Sequence, residues 1–164
     1  MLRAFRYLTG VFVLLTTSLS FSAVDSKIWK TVDIGEHLSM YRDKKISEKT
    51  LTMLKASSPK PEPVLSEKDL PAKVAEITKL RAGTNDFLGQ ENWKIASQSL
   101  ASIPTGQHFF IHGSYDDEGV KYNFHELFVM EGTKGRQIQI VEPATSKALS
   151  PDQAKIALAE IAKP

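Results

Sequence analysis

The sequence has no cysteine among its 164 residues. Disulfide bonds are therefore excluded, and the apolar core alone has to stabilise the fold. A lipid-anchored bacterial lipoprotein is excluded as well, because its anchor is attached to a cysteine. A cysteine nucleophile is absent for the same reason.

Familiar motifs of catalysis and nucleotide binding are also missing. The sequence contains no G-x-S-x-G elbow, no phosphate-binding loop and no H-E-x-x-H pair. The acidic cluster Asp116-Asp117-Glu118 lacks the spaced ligands of an EF-hand loop. We therefore predict a protein that is not an enzyme, with no catalytic residues, no cofactor and no metal site.

Long apolar runs are restricted to the first residues. Arg3 and Arg6 precede the apolar run Leu8–Leu15, and small residues follow up to Ala23. This order is typical of a secretory signal peptide, and the apolar run is shorter than the roughly 20 residues that span a bilayer. We expect cleavage near Ser22, a periplasmic or secreted location, and no membrane anchor after cleavage.

An excess of charge of one sign is absent from the expected mature chain. Removal of the signal peptide reduces the 21 basic residues to 19, which equals the number of acidic residues. A neutral chain has no global field that attracts nucleic acid or an anionic membrane. Nucleic acid is therefore not an expected partner, whereas an unknown protein partner is.

One proline-rich stretch divides the chain. The segment "ASSPKPEPV" at residues 56–64 alternates prolines with polar residues and predicts an extended connector. The expected organisation is a signal peptide (1–22), an N-terminal strand and helix part that packs on the main domain (23–55), the connector (56–65) and a main α+β domain (66–164).

Three helices are predicted from their ends and their apolar spacing. The first follows Ser47 and ends at about Ala56, and the second spans about Ser66 to Ala82 with Gly83 as its stop. The third runs from Pro151 to about Ala162, with a capping box formed by the preceding serine and Gln153. The predicted buried face of the second helix consists of Leu70, Val74, Ile77 and Leu80.

The region from Trp93 to Glu142 reads as strands separated by turns. The turns are "IPTG", "DDEG" and "EGTKG", and the segments Ile28–Val32 and Leu38–Tyr41 add one or two further strands. The predicted fold class is α+β, with an antiparallel sheet of four to six strands flanked by about three helices, including a C-terminal helix.

A register for the central hairpin follows if Asp116 pairs with Val120. One face then collects Phe109, Ile111, Leu127, Val129, Ile138 and Ile140, which we interpret as the core. The other face carries three phenylalanines, so either helices cover it or it is a binding surface. The candidate binding residues on this second face are Phe110, His112, Phe124, Glu126 and Phe128.

The segment "HFFIH" holds two histidines four residues apart. On a strand, His108 and His112 share a face but lie roughly 13 Å apart, whereas metal–nitrogen bonds are about 2 Å long. The two histidines therefore do not share one metal ion. In the assumed register His112 lies diagonally from Glu126, which leaves a His–Glu contact or a noncanonical hydrolytic pair as alternatives.

The segment from His108 to Pro143 resembles the central sheet of PsbP-like and DcrB-like exported proteins. The shared features are Gly113-Ser114-Tyr115 at a strand end, the hairpin, the following strand pair and a final helix. The resemblance implies an antiparallel sheet with helices on both sides and a noncatalytic accessory or binding role. We expect an exported noncatalytic binding or accessory protein of the bacterial cell envelope that acts through protein contacts. The alternatives are an envelope-protecting inhibitor or immunity-type protein, and a hydrolase with a His/Glu site.

Overall fold

The computed structural model describes residues 24–103, 106–145 and 147–163. The predicted signal peptide and its cleavage site near Ser22 lie outside these residues. Among the described helices, none has the length and apolar character needed to cross a membrane.

The described chain forms one antiparallel sheet of seven strands. Its strands are β1 (Trp29–Ile34), β2 (Leu38–Asp43), β3 (Thr50–Ser57), β4 (Gln90–Ile103), β5 (Gly106–Asp117), β6 (Val120–Glu131) and β7 (Lys134–Pro143). The spatial order is β1-β2-β3-β7-β6-β5-β4. The last strand of the sequence therefore joins the first three strands to the rest of the sheet.

Two helices cover opposite faces of this sheet. Helix α1 (Leu70–Leu88) lies between β3 and β4 in sequence, and α2 (Pro151–Ala162) follows β7. Buried Leu70 and Ile77 of α1 pack with Phe109 and Phe124. The buried residues of α2 pack on the other face in a cluster that contains Leu51, Phe110, Leu127, Ile138, Ile140, Ala154, Leu158 and Ala162.

The predicted fold class is wrong in its counts of strands and helices. The sheet has seven strands instead of four to six, and two helices flank it instead of about three. The segment predicted as the first helix is β3, an interior strand of the sheet. Leu51 and Met53 pack on the α2 side of the sheet, whereas Leu54 lies on the α1 side. Because apolar residues occur on both faces of β3, the spacing of Leu51 and Leu54 resembles the apolar stripe of a helix.

The predicted boundaries of α1 are also shifted. Ser66 and Asp69 are hydrogen bonded as their spacing predicts, but they form a turn and the helix begins at Leu70. Gly83 lies inside the helix, and the left-handed residue that follows its end is Gly89, with φ of 72°. Leu80, predicted to be buried, is 68% exposed.

The predicted C-terminal helix is confirmed together with its cap. The side chain of Ser150 accepts a hydrogen bond from the backbone of Gln153, and the Gln153 side chain accepts one from the backbone N–H of Ser150. Pro151 occupies the first turn, where its missing N–H costs nothing. The capping box was readable because it is local in sequence.

The predicted register of the central hairpin is wrong by one residue. Asp117, not Asp116, pairs with Val120, so Glu118 and Gly119 form a two-residue loop. Both loop residues have positive φ, 50° and 80°, as a type I′ turn requires. Pairing of Asp116 with Val120 would give a three-residue loop with positive φ at Gly119 alone, and a nonglycine residue such as Glu118 rarely has positive φ.

A slip of one residue changes which side chains share a face. Ile111 lies opposite Glu126, and His112 lies opposite His125. The predicted core is therefore split: Phe109 and Ile111 pack beneath α1, whereas Leu127, Val129, Ile138 and Ile140 pack on the α2 side. Both faces are apolar cores, which is why the sequence showed no clean alternation of buried and polar residues.

Candidate ligand-binding pocket

A half-open cavity of about 300 Å³ lies between α1 and the sheet. We call it the α1 pocket. Its sides are formed by α1, by the start of the Pro-rich connector (residues 56–65) and by the ends of β3, β6 and β7. Cavities of this size are typical of sites for small molecules.

The connector is held against the sheet by hydrogen bonds. Ser58 donates its backbone N–H to the carbonyl oxygen of Thr133, and Glu62 donates to that of Gly132. The Gln107 side chain then accepts from the N–H of Leu65 at 2.7 Å and donates to its carbonyl oxygen at 2.6 Å. These contacts fix the connector beside the pocket and lead the chain into α1.

The walls of the pocket are mainly apolar. Phe128 is half-buried and Leu80 is largely exposed, so both present apolar surface to a ligand. The apolar residues of the lining include Leu54, Ala56, Ile77, Leu80, Leu88, Phe109, Phe128 and Met130. Exposed apolar surface of this kind in a concave position favours binding of an apolar molecule.

A buried carboxylate lies beneath the pocket. Glu126 is fully buried, and its Oε1 accepts a hydrogen bond from Arg81 Nη2 at 2.6 Å. The side-chain amides of Gln137 and Gln139 donate to Oε2 and Oε1 of the same carboxylate. Because Arg81, Gln137 and Gln139 all line the pocket, this network forms its polar floor. The guanidinium compensates a charge that would otherwise be costly to bury.

The five predicted binding residues do not form one surface. Phe110 and His112 face α2, whereas Phe124, Glu126 and Phe128 face α1. Phe110 and Phe124 are buried, and the Phe124 ring stacks on Trp93 at 5.1 Å between centroids. Of the five, Phe128 alone lines the α1 pocket. The proposed pairing of His112 with Glu126 is excluded, because the sheet separates their side chains.

His112 instead contacts His125 on the α2 face. Their Nδ1 atoms are 3.1 Å apart, and the rings stack at 4.6 Å between centroids. His125 is fully buried and its Nε2 lies 3.5 Å from Glu142 Oε1, while Lys49 Nζ lies 3.1 Å from Glu142 Oε2. The result is a chain of polar groups from the half-buried His112 to the ammonium of Lys49.

Burial and charge set the protonation of this chain. Desolvation lowers the pKa of His112, and the neighbouring His125 lowers it further, against a smaller opposite effect of a backbone hydrogen bond at Phe124. Desolvation raises the pKa of Glu142, but the nearby His125, the backbone N–H of Leu149 and the ammonium of Lys49 outweigh it, so the pKa is lowered overall. These shifts favour the ionised form of Glu142 and the neutral form of His112.

His108 lies on the same face as His112 but joins no ligand set. Desolvation and the charge of Arg136 lower its pKa, partly opposed by Glu131. Within the described residues, no three His, Cys, Asp or Glu side chains are grouped closely enough to hold a metal ion.

The polar floor of the pocket was missed at the sequence level. Arg81 lies 45 residues before Glu126, so their contact has no local signal. The alternation of Gln137 and Gln139 on one face of β7 was visible as "RQIQIVE", and it does place two amides side by side. The predicted grouping of Leu127 and Val129 with Ile138 and Ile140 already left these amides on the face of Glu126, so the contact with Arg81 was the part that was missed.

Comparison with known proteins shows little similarity. No family model and no curated protein matches the chain. A crystal structure of a protein from Bacteroides thetaiotaomicron is similar at 15% identity and a TM-score of 0.45. The similar region covers 78% of this chain and 39% of that one. This likeness carries no functional argument, and the resemblance to PsbP-like and DcrB-like proteins stays a prediction.

Proposed function

We propose that this chain is a noncatalytic binding protein that takes a small, mainly apolar molecule into the α1 pocket. The observation that carries the proposal is the pocket itself: a half-open cavity with apolar walls over a polar floor organised around the buried Glu126. A few polar groups at the base of an apolar cavity fix the orientation of a ligand.

The exposure of Leu80 supports this proposal. Leu80 is 68% exposed on α1, at the wall of a concave surface that also contains half-buried Phe128. Covering such surface with an apolar ligand removes it from water, at about 25 cal/mol for each Å². A ligand that covers both side chains therefore removes their exposed apolar surface from water, and this burial favours binding.

Binding of the neutral fluorescent dye Nile red tests the proposal. We expect saturable binding to the chain from Ala23 onward, with enhanced fluorescence because the dye enters an apolar site. Leu80→Glu should weaken binding about tenfold, the equivalent of 1.4 kcal/mol, since a charge then stands at the wall of the pocket.

The chain offers a matched control on its other helix. Ile156 of α2 is 65% exposed and lies outside the pocket lining, so Ile156→Glu adds the same charge at a similar exposure. Equal dye binding by the two variants, or no saturable binding by the parent protein, would contradict the proposed function.

The wider setting of this function stays a prediction. The expected signal peptide would place the protein in the bacterial envelope, where an apolar ligand would be carried or sensed outside the cytosol. A role through a protein partner, including an envelope-protecting inhibitor or immunity-type role, would use surfaces other than the pocket. His112 and Glu126 cannot form a hydrolytic pair, because their side chains lie on opposite faces of the sheet.

A further inference from the structure

We infer that the α1 pocket selects a neutral amphiphile, namely an apolar tail with a hydroxyl or primary amide head that contacts Arg81 and Gln137. This inference rests on the proposed function and names the ligand class for the same site. It follows from the charge balance of the lining and from the hydrogen-bonding groups that the floor leaves available.

The charges around the pocket compensate one another. Arg81 is paired with the buried Glu126, and Lys73 of the lining is paired with Glu76 at 3.0 Å. Arg136 of the lining lies 3.7 Å from the carboxylate of Glu131, a residue that is not part of the lining. The remaining charged residues of the lining, Lys134 and Glu62, are opposite in sign. A charged ligand would therefore bring an uncompensated charge into an apolar site, which is unfavourable.

The floor offers hydrogen-bond donors through Arg81. A guanidinium has five N–H groups, and among the described residues that of Arg81 donates only to Glu126, through Nη2. The side chain is 21% exposed and belongs to the pocket lining. Its remaining N–H groups are thus available to an oxygen atom of a ligand.

The floor also offers an acceptor through Gln137. The Nε2 of Gln137 donates to Glu126 Oε2 at 3.2 Å, and this assignment is chemically required because the amide oxygen would repel the carboxylate. The Oε1 of Gln137 has no hydrogen-bond partner among the described residues, and it is not buried away from solvent. It can therefore accept a hydrogen bond from a ligand.

A donor and an acceptor therefore flank the same carboxylate. Arg81 contacts one oxygen of Glu126 and Gln137 contacts the other, so both groups of the pocket lining lie next to the same carboxylate. A hydroxyl or a primary amide both donates and accepts, and satisfies Arg81 and Gln137 together. A carboxylate has no proton for Gln137 and is repelled by Glu126, whereas an ammonium has no acceptor for Arg81.

Displacement of Nile red by a series with one tail and different heads tests the inference. The series is decanol, decanamide, decanoate and decylammonium, at pH 8 and below micelle-forming concentrations. We expect decanol and decanamide to displace the dye at concentrations about tenfold lower than the two ions, a difference of about 1.4 kcal/mol.

A variant at Gln137 tests the acceptor. Decanol should displace the dye at lower concentration than decyl methyl ether, which has the oxygen but no proton to donate. In Gln137→Leu this preference should disappear while Nile red still binds, which also shows that the pocket is intact. Gln98→Leu is the control, because Gln98 lies exposed on β4 outside the pocket lining.

The outcomes separate this inference from the proposed function. If Nile red binds and all four heads displace it equally, the function stands and the head-group inference is overturned. Preferred displacement by decanoate or decylammonium overturns it as well, in favour of a charged ligand. If neither the dye nor any member of the series binds, the proposed function fails and the inference fails with it.

Discussion

At the scale of single residues, the histidine pair makes stability depend on pH. Desolvation and the neighbouring His125 lower the pKa of His112 from 6.5, so the unfolded chain binds a proton that the folded chain resists. The stabilising contribution of neutral His112 to the free energy of unfolding is fully present above pH 6.5, and it is lost as the pH falls through the lowered pKa of the folded state. We expect the free energy of unfolding to decrease from pH 7.5 to pH 5.5, measured by urea denaturation.

His112→Asn should flatten this pH dependence. It should not abolish it, because desolvation also lowers the pKa of His108. The chosen range stays above 4.5, the ordinary pKa of Glu142, so protonation of that carboxyl does not interfere. His37→Asn, which removes a histidine outside the pair, is the control. An unchanged slope in His112→Asn would show that the pair does not set the pH dependence.

Glu126 illustrates what could be predicted about the site at this scale. The sequence directed attention to Glu126 because a carboxylate stood among three phenylalanines of β5 and β6. The position of Glu126 on a face with phenylalanines could thus be predicted, but its ion-pair partner could not. The partner Arg81 comes from α1, and only the packing of that helix on the sheet brings the two together. The histidine expected beside Glu126 contacts His125 instead.

At the scale of elements, the capping box of α2 is a local contribution to stability. The Ser150 hydroxyl accepts from the N–H of Gln153, which would otherwise lack a partner at the helix start. We expect Ser150→Ala to lower the free energy of unfolding by about 1 kcal/mol, measured by urea denaturation. Ser26→Ala is the control, because Ser26 is exposed and lies in a turn before β1. Equal effects of the two changes would show that the cap does not stabilise the fold.

Elements with local signals were predicted best. Helix α2 has a cap, a proline and an apolar stripe within a few residues, and both its type and its position were foreseen. Strand β3 has no such signal, since its apolar side chains point to both faces. It pairs with the nearby β2 on one side and with β7, which is remote in sequence, on the other. Periodicity within the segment favoured a helix.

At the scale of the whole molecule, the two edges of the sheet should unfold together. Trp29 begins β1 at one edge and Trp93 lies in β4 at the other, stacked on Phe124. Because β3 pairs with β7 along its length, the first three strands belong to the same hydrogen-bonded sheet as the rest. The variants Trp93→Phe and Trp29→Phe each keep one tryptophan as a fluorescent probe of one edge. In urea, the fluorescence transition and the loss of secondary structure of each variant should give the same free energy of unfolding.

The two variants serve as controls for each other. If the Trp29 signal of Trp93→Phe changed at a lower urea concentration than the loss of its secondary structure, strands β1 to β3 would form a separate unfolding unit. The parts of the chain before and after residues 56–65 would then unfold independently, which the continuous sheet leads us not to expect.

The strand order could not be predicted from the sequence. Hairpin turns reveal neighbours such as β5 and β6, whereas the pairing of β3 with β7 has no turn to mark it. The sequence therefore indicated the strands of the C-terminal half and left β1 and β2 unplaced. The upper limit of six strands already included β1 and β2, and the count fell one short of seven because β3 was predicted as a helix.

The pairing of Thr50 with Val141 has a consequence for the order of events during synthesis. A ribosome releases β1 to β3 long before it releases β7, so the early strands have no central neighbour while the rest of the chain is made. Contacts this distant in sequence also slow folding, because a long loop has to close before they form. The sheet of the nascent chain therefore remains incomplete until β7 has emerged. Until then, strands β1 to β3 are accessible to a chaperone that binds extended segments.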